Sequence, residues 1–469
     1  MKKYEDYQTV SSLWVNSLPT HWEFNKLRSI FWKRKEKNDP VKTKEILSLS
    51  AKVGVELYSQ KAHGGGNKAK DDITKYNIAH KGDLIVNCMN VISGSVGLSK
   101  YYGAISPVYY ALVTRNEKFN RDYYHYVFKI EPFQKSLLPL GRGILMHESS
   151  TGKLNTIRMR ISMSDFNNVN LPVPPRDEQD QIVRYLDWQV SKINHLIHGY
   201  QKQIKLLKER RQTIIDRATT QGINENTAYK NSGVNWIDNI PEHWNMVYAK
   251  KLFAQRKDKA FPNDIQLTSS QKYGIISQEE FMKIEGRRLT VVMTGEDILK
   301  HVGIGDFVIS MRSFQGGLEY SYVEGKISSA YVMLIPNKEK VYDEYFKWLL
   351  KSKPYIKALQ GTSDLVRDGQ ALRYANFAKV YLPEISLDEQ KEIAEYIAAE
   401  VAKIDNALPT FQKEIELLRE YRTRLISDVV TGQIDVRDVV IPEYTPEEDT
   451  EIDTDDIGED VEEVAEDAE

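Results

Sequence analysis

The feature that most constrains this chain is that it is written twice. LPTHWEF, from Leu18 to Phe24, returns as IPEHWNM, from Ile240 to Met246, and the offset of 222 persists along the chain. Phe31 aligns with Phe253, and Arg34, Lys35, Glu36 and Lys37 align with Arg256, Lys257, Asp258 and Lys259. KGDLIVNCMN, from Lys81 to Asn90, is matched by IGDFVISMRS, from Ile304 to Ser313, at an offset of 223. GAISPVYYAL, from Gly103, is matched by GKISSAYVML, from Gly325, again at 222. A period of this length is that of a domain and not of a solenoid unit. The 469 residues and their 41% hydrophobic content leave room for two such cores.

Within each copy, short β-branched and aromatic runs separated by Gly-containing turns predict strands. Tyr-rich helical candidates follow, at Asn120 to Leu138 and Tyr342 to Leu359. The sharpest repeat comes last, where LPVPPRDEQDQIVRYL from Leu171 matches LPEISLDEQKEIAEYI from Leu382 at an offset of 211. Each opens a long helix. Ser386 and Glu389 have capping-box spacing, and Pro175 in the aligned place has the fixed φ suited to a helix start.

The first helix carries a seam at alternating four- and three-residue steps: Ile182, Leu186, Val190, Ile193, Ile197, Tyr200, Ile204, Leu207, Arg211, Ile214 and Ala218. Adding 211 to every position gives Ile393, Ile397, Val401, Ile404, Leu408, Phe411, Ile415, Leu418, Arg422, Leu425 and Val429. Two helices with the same narrow stripe are expected to pair, because neither buries it alone. A seam of 37 positions corresponds to a rod of about 54 Å. Gly222 and Gly432 fall near the C′ positions that end such helices. Pro409 falls inside the second helix, where a kink or interruption is expected.

Charge separates the chain into two parts. The net charge is −3, yet the segment from Glu443 to Glu469 holds 15 acidic residues and no basic one. The preceding 442 residues therefore carry 64 basic against 52 acidic side chains, a balance of +12 that suits a polyanionic partner. The acidic end reads as a disordered tail. One cysteine, Cys88, excludes an internal disulfide and a cysteine-built zinc site. No signal peptide or 18-residue apolar run is apparent, so a cytoplasmic location is expected.

Signatures of catalysis are missing. STGKL, from Ser150, has His147 where a phosphate loop needs its first glycine and Leu154 where it needs Ser or Thr. No HExxH, nucleophile elbow or dinucleotide fingerprint occurs. His195 and His198 are spaced to share a metal on a helix, but an exposed helix face without a third ligand is the preferred reading. Basic and aromatic residues remain. Lys33, Arg34, Lys35 and Lys37, with Arg256, Lys257 and Lys259, form a repeated cation run suited to phosphate contacts, or else a solvated face. Where the copies diverge, Asn87 and Asn90 stand against Arg312, Ser313 and Gln315; Arg reads guanine and Asn or Gln reads adenine, so unlike residues at like positions suit different sequences. The loops Gly141 to Ser149 and Gly361 to Arg373 add Arg142, Arg367, Gln370 and Arg373.

With these segments in view, the chain resembles the specificity subunits of type I restriction-modification systems. The likeness covers about Leu13 to Asp435 and rests on the paired LPTHW and IPEHW segments, on LPVPPRDEQ and LPEISLDEQ, and on the two helices that follow. It implies an α+β chain with two tandem α/β target-recognition domains separated by two long helices that form an antiparallel coiled coil. The segments would be a first recognition domain (1–175), a first spacer helix (176–222), a linker and second recognition domain (223–385), a second spacer helix (386–433) and an acidic tail (434–469). The resemblance further implies a non-catalytic subunit that binds a bipartite, asymmetric double-stranded DNA site, one half per domain. Its partners would be two methyltransferase subunits and restriction subunits, and S-adenosylmethionine, Mg and ATP would sit on those partners. The competing reading is a coiled-coil scaffold that binds DNA without sequence preference; a nuclease with an unrecognised site is the third. If Arg312 reads guanine, Arg312→Ala is expected to cost about 1–3 kcal/mol and to relax specificity at one position. A competition series over single-base variants checks this, and an equal loss on every sequence would make Arg312 a phosphate contact.

Overall fold

A computed structural model of the protein describes residues 2–51, 53–60, 72–89, 91–144, 158–224, 226–286, 298–310, 313–362 and 373–447. The chain divides into two compact units. One holds the described residues up to Tyr200 together with those from Lys413 onward, and the other runs from Gln201 to Gln412.

In the first unit the entry segment supplies β1 (Glu23–Lys26) and β2 (Phe31–Lys33). Then come β3 (Leu84–Asn87), β4 (Val96–Leu98), β5 (Tyr109–Thr114) and helix α1 (Arg121–Lys129). The strands form an antiparallel sheet in the order β2, β5, β3, β4, with Leu112 opposite Leu84 and Tyr109 opposite Asn87. A hairpin of β6 (Gly141–Ile144) and β7 (Arg158–Ile161) follows. The exit strand β8 (Asn170–Val173) closes the unit on β1, pairing Asn170 with Lys26 and Val173 with Glu23. Helix α2 (Arg176–Gln221) then begins.

The second unit repeats this plan. β9 (Asn245–Tyr248) is the entry strand, and β10 (Phe253–Gln255), β11 (Phe307–Ile309), β12 (Glu319–Tyr320) and β13 (Val332–Pro336) form a sheet in the order β10, β13, β11, β12. Helix α3 (Asp343–Leu349) follows, and β14 (Tyr381–Glu384) closes on β9 before helix α4 (Leu387–Val430) starts. The two repeated motifs of each copy are thus the strands that open and close its domain.

Each Tyr-rich segment forms two helices and not one. Asn120 caps α1 by accepting from the amides of Asp122 and Tyr123, and Pro132 starts a second helix at Glu131–Ser136. In the second copy Pro354 does the same at Lys353–Gln360. A proline removes an interior helix hydrogen bond but fits the first turn, so it marks the break.

The long helices pack antiparallel within each unit. In the first, the start of α2 at Glu178 and the end of α4 at Gly432 meet the same Trp22, while Arg422 reaches Asn194 at 2.6 Å. In the second, Gly222 lies by Trp244 and Glu389, and Arg211 reaches Asp405 at 3.0 Å. Seam residues Ile182, Leu186, Ile193, Ile197 and Ile204 are buried on α2, as are Ile393, Ile397, Val401, Ile404, Ile415 and Leu425 on α4. Leu207 and Leu418 are half-buried. Near the end of α2 the buried position is Ile215, and Ile214 is half-buried. A strict 3.5-residue repeat drifts by about 20° per heptad on a straight helix, so the neighbouring residue takes over the seam.

Three expectations are corrected. α4 runs unbroken through Pro409, which is exposed. On that face the carbonyl left without a partner stays open to water, which lowers the cost of interrupting the ladder. The end of the chain is not a free tail from residue 434: Ile434, Asp435 and Val436 are buried, and residues as far as Glu447 bond to α2. The spacer helices are likewise not separate segments, since each is shared between the two units. Ile397 is fully buried in the second core with Trp244, Ile393 and Val401. Ile397→Ala is expected to cost about 2–5 kcal/mol of stability, read as a lowered denaturation midpoint with an unchanged denaturant slope.

Candidate nucleic-acid interface

The residues that identify the repeat turn out to be a joint. Trp22 Nε1 donates to Glu178 Oε1 at 3.1 Å, and His21 Nε2 lies 2.9 Å from Oε2. In the second copy Trp244 Nε1 donates to Glu389 Oε1 at 2.9 Å, and His243 Nε2 lies 2.9 Å from Oε2. The next residue adds a second tie. Gln179 accepts from the amide of Asn120 and donates to the carbonyls of Lys118 and Pro174; Gln390 accepts from that of Tyr342 and donates to those of Lys340 and Ile385. The Ser386 hydroxyl accepts from the Glu389 amide, which is half of the expected capping box, but the Glu389 carboxylate goes to Trp244 and His243 instead. In the first unit the Tyr4 hydroxyl also donates to Glu178; burial first, and then that carboxylate, push its proton affinity up.

The repeated arginines are part of the fold as well. Arg34 forms a two-pronged pair with buried Asp83, at 2.7 and 2.9 Å, and Arg256 does the same with Asp306, at 2.6 and 2.9 Å. Each aspartate also accepts a backbone amide, from His80 or from Gly303. These guanidiniums are committed to carboxylates. Asn87 is likewise buried, and its carbonyl oxygen accepts the Met89 amide at 3.0 Å. Ser313 is buried and accepts the Ser310 amide. Neither side chain is presented as a reader of base edges. Asn90, Arg312, Arg367 and Gln370 lie outside the described residues.

What stays on the surface is a cationic group around the end of β3. Lys35 and Lys37 are exposed, with Lys37 Nζ on the side-chain oxygen of Asn77. Lys33 lies 4.5 Å over the Tyr110 ring, whose hydroxyl bonds the carbonyl of Ile161. Burial, then the positive field of Lys37, Arg160 and Lys35, lower the proton affinity of Lys33. Arg142 and Arg160 stand directly opposite on β6 and β7, both exposed, with Asp165 3.4 Å from Arg142. Like charges directly opposite destabilise a strand pair, and a polyanion would relieve the repulsion. Arg160 was missed in the sequence reading, since its place opposite Arg142 depends on the pairing of β6 with β7. In the second unit Lys257, Lys259, Gln315 and Arg373 are exposed.

Among the described residues, no helix is long and apolar enough to cross a membrane, and no group of three or more His, Cys, Asp or Glu could hold a metal ion. The Nδ1 atoms of His195 and His198 both turn to Glu447. If the Lys33 and Arg160 group binds phosphates, replacing both by Ala is expected to weaken DNA binding on all sequences and flatten the log–log salt slope by about 1–2 units. Titrations at four salt concentrations check this; a loss confined to one sequence would make these residues readers of bases.

Residues 19–206 match the family model of the type I restriction modification DNA specificity domain. The type I restriction enzyme MjaVIII specificity subunit of Methanocaldococcus jannaschii is 25% identical over 375 residues, covering 77% of this chain and 81% of that one. A second relative from the same organism, named as the MjaX specificity subunit, is 24% identical over 376 residues, covering 78% and 82%. Among solved structures, a chain from a study of complex assembly and conformational transition in a type I R-M system superposes with a TM-score of 0.61 at 14% identity, covering 89% of this chain and 99% of that one. At that identity the likeness is one of fold.

Proposed function

We propose that this chain, which belongs to the type I restriction-modification specificity-subunit family, selects a bipartite, asymmetric DNA site, each recognition domain reading one half. As a specificity subunit it is non-catalytic. The observation that carries this reading is a duplication that keeps its joints and changes its loops. Both copies hold the Trp, His and Glu joint and the Arg–Asp pair, while in the aligned sequences Asn87-Cys88-Met89 of the first copy is replaced by Ser310-Met311-Arg312 in the second. Identical scaffolds with unlike loops suit two unlike half-sites.

The long helices would serve as the connector between readers and as the docking surface for two methyltransferase subunits and for restriction subunits. S-adenosylmethionine, Mg and ATP would belong to those partners. The exposed cations supply sequence-blind affinity, and the divergent loops supply choice. Footprinting of the protein with its methyltransferase partner is expected to show two protected blocks separated by an unprotected spacer. Exchanging residues 240–380 for a homologue's domain is expected to change one half-site only, read by mapping methylated bases in cells. A single continuous footprint, or steep salt dependence with no sequence preference, would favour a DNA-binding scaffold instead.

A further inference from the structure

Beyond the end of α4 the chain does not leave the first unit. After the buried Ile434 and Val436 it runs along α2, and from Val439 to Glu447 the hydrogen bonds that hold it come from polar side chains of that helix. Gln181 Nε2 donates to the carbonyls of Val436 at 3.0 Å and Val439 at 2.8 Å. The Ser191 hydroxyl donates to the Thr445 carbonyl at 3.2 Å and accepts from the Glu447 amide at 2.7 Å. Asn194 Nδ2 donates to the Glu447 carbonyl at 3.1 Å. The two carboxylate oxygens of Glu447 then take Nδ1 of His195 at 2.6 Å and of His198 at 2.5 Å. Imidazole neighbours, His198 foremost, hold the Glu447 carboxyl below its ordinary range.

Three features separate this arrangement from ordinary packing. First, the helix face is built for a peptide: Ser191 and Asn194 are buried polar residues, and Arg422 holds the Asn194 oxygen so that its amide hydrogens face the strap. Secondly, the strap brings little apolar burial. Val440 is 87% exposed, Pro442 to Pro446 are exposed, and a cavity of about 520 Å³ lies between Trp188, Lys192 and the segment from Tyr444 to Glu447. Thirdly, α4 has no such row. Ala399, Ala402, Asp405, Asn406 and Pro409 stand where α2 has Trp188, Ser191, Asn194, His195 and His198. The second copy keeps the arginine tie, as Arg211 with Asp405, but does without the tryptophan, the serine and the two histidines, so the helix architecture does not require those four.

We propose that the face of α2 from Trp188 to His198 is a peptide-binding groove. It grips an extended segment by its backbone and clasps a carboxylate between two imidazoles. The chain's own residues Val439 to Glu447 are its intramolecular ligand, exchangeable for a segment of the same chemistry on a partner protein. Backbone recognition gives affinity and the single clasped side chain gives selectivity, the division of labour found in other extended-peptide sites. A ligand in cis benefits from a high effective concentration, so a partner displaces it only when its own segment is similarly delivered or the clasp is weakened. This inference stands independently of what DNA the chain reads.

The test uses the chain ending at Asp438, which keeps the buried Asp435 and Val436, and a fluorescently labelled peptide of residues 439–451. The peptide is expected to bind this chain and to bind the full chain at least tenfold more weakly. Glu447→Ala in the peptide, a reordered peptide of the same composition, or His195→Ala with His198→Ala in the chain should each reduce binding at least tenfold without changing the chain's melting temperature. Equal binding by the reordered peptide would reduce the contact to charge attraction by a basic body and overturn the proposal. So would the absence of binding to the folded shortened chain. If shortening prevents folding, the full chain carrying Glu447→Ala takes its place: an opened groove binds the peptide where the parent does not, and failure to do so sinks the idea.

Discussion

Everything else in the chain hangs on one carboxylate, used twice. Glu178 and Glu389 sit in the first turn of a long helix, where the unpaired amides favour negative charge. Each spends its oxygens on an indole and an imidazole from the segment that opened the same domain, 145 to 157 residues earlier. The domain is thereby closed on the helix that leaves it. Removing such an acceptor leaves a buried indole N–H without a partner, whereas the bond itself, between a charged and a neutral group, is among the stronger ones a protein makes. The neighbouring glutamine adds three bonds to backbone, so helix, exit strand and the loop before the domain helix move as one body.

Around these joints the two copies spend their charge differently from the way a count of basic residues suggests. The Arg–Asp pairs neutralise themselves inside the sheet, at turns where Gly82 and Gly305 adopt positive φ. The excess positive charge therefore resides in exposed lysines such as Lys35 and Lys37 and in the hairpin arginines Arg142 and Arg160. A cluster that repels itself in isolation is pre-arranged for a polyanion, because the cost of assembling like charges is met in the fold and recovered on binding.

The sequence announced the duplication, both long helices and nearly all of their seam, because helix faces repeat every three to four residues and the two copies vouch for one another. It did not announce partners. Arg34 and Asp83 are 49 positions apart, and a run such as Arg34-Lys35-Glu36-Lys37 looks the same whether its arginine faces phosphate or a buried carboxylate. Asn87 reads as a base contact by residue type and is a turn-former by placement. Arg160 was visible only once β7 was seen to lie against β6. His195 and His198 showed their spacing, but Glu447, some 250 positions away, had been assigned to a tail read from composition alone. Periodicity speaks for local geometry; long-range pairing needs the coordinates.

The first described residues and those just beyond α4 meet at the first joint. Lys2 supplies its carbonyl to the Asp435 amide and its ammonium to Asp438, while Arg437 stacks 4.9 Å over Tyr4, the residue that completes the Glu178 cluster. The second joint has no counterpart, since there the chain passes directly from α2 into the linker. Affinity handles are commonly fused to the ends of a protein on the assumption that ends are idle. Here a fusion before Lys2 presses on the contacts around Tyr4 and Glu178, and a tag that strains them would disturb the joint of the first unit. For purification and labelling, the exposed turn around Gly233 is the gentler site provided the glycine itself is kept, because its φ of +71° strains any added side chain.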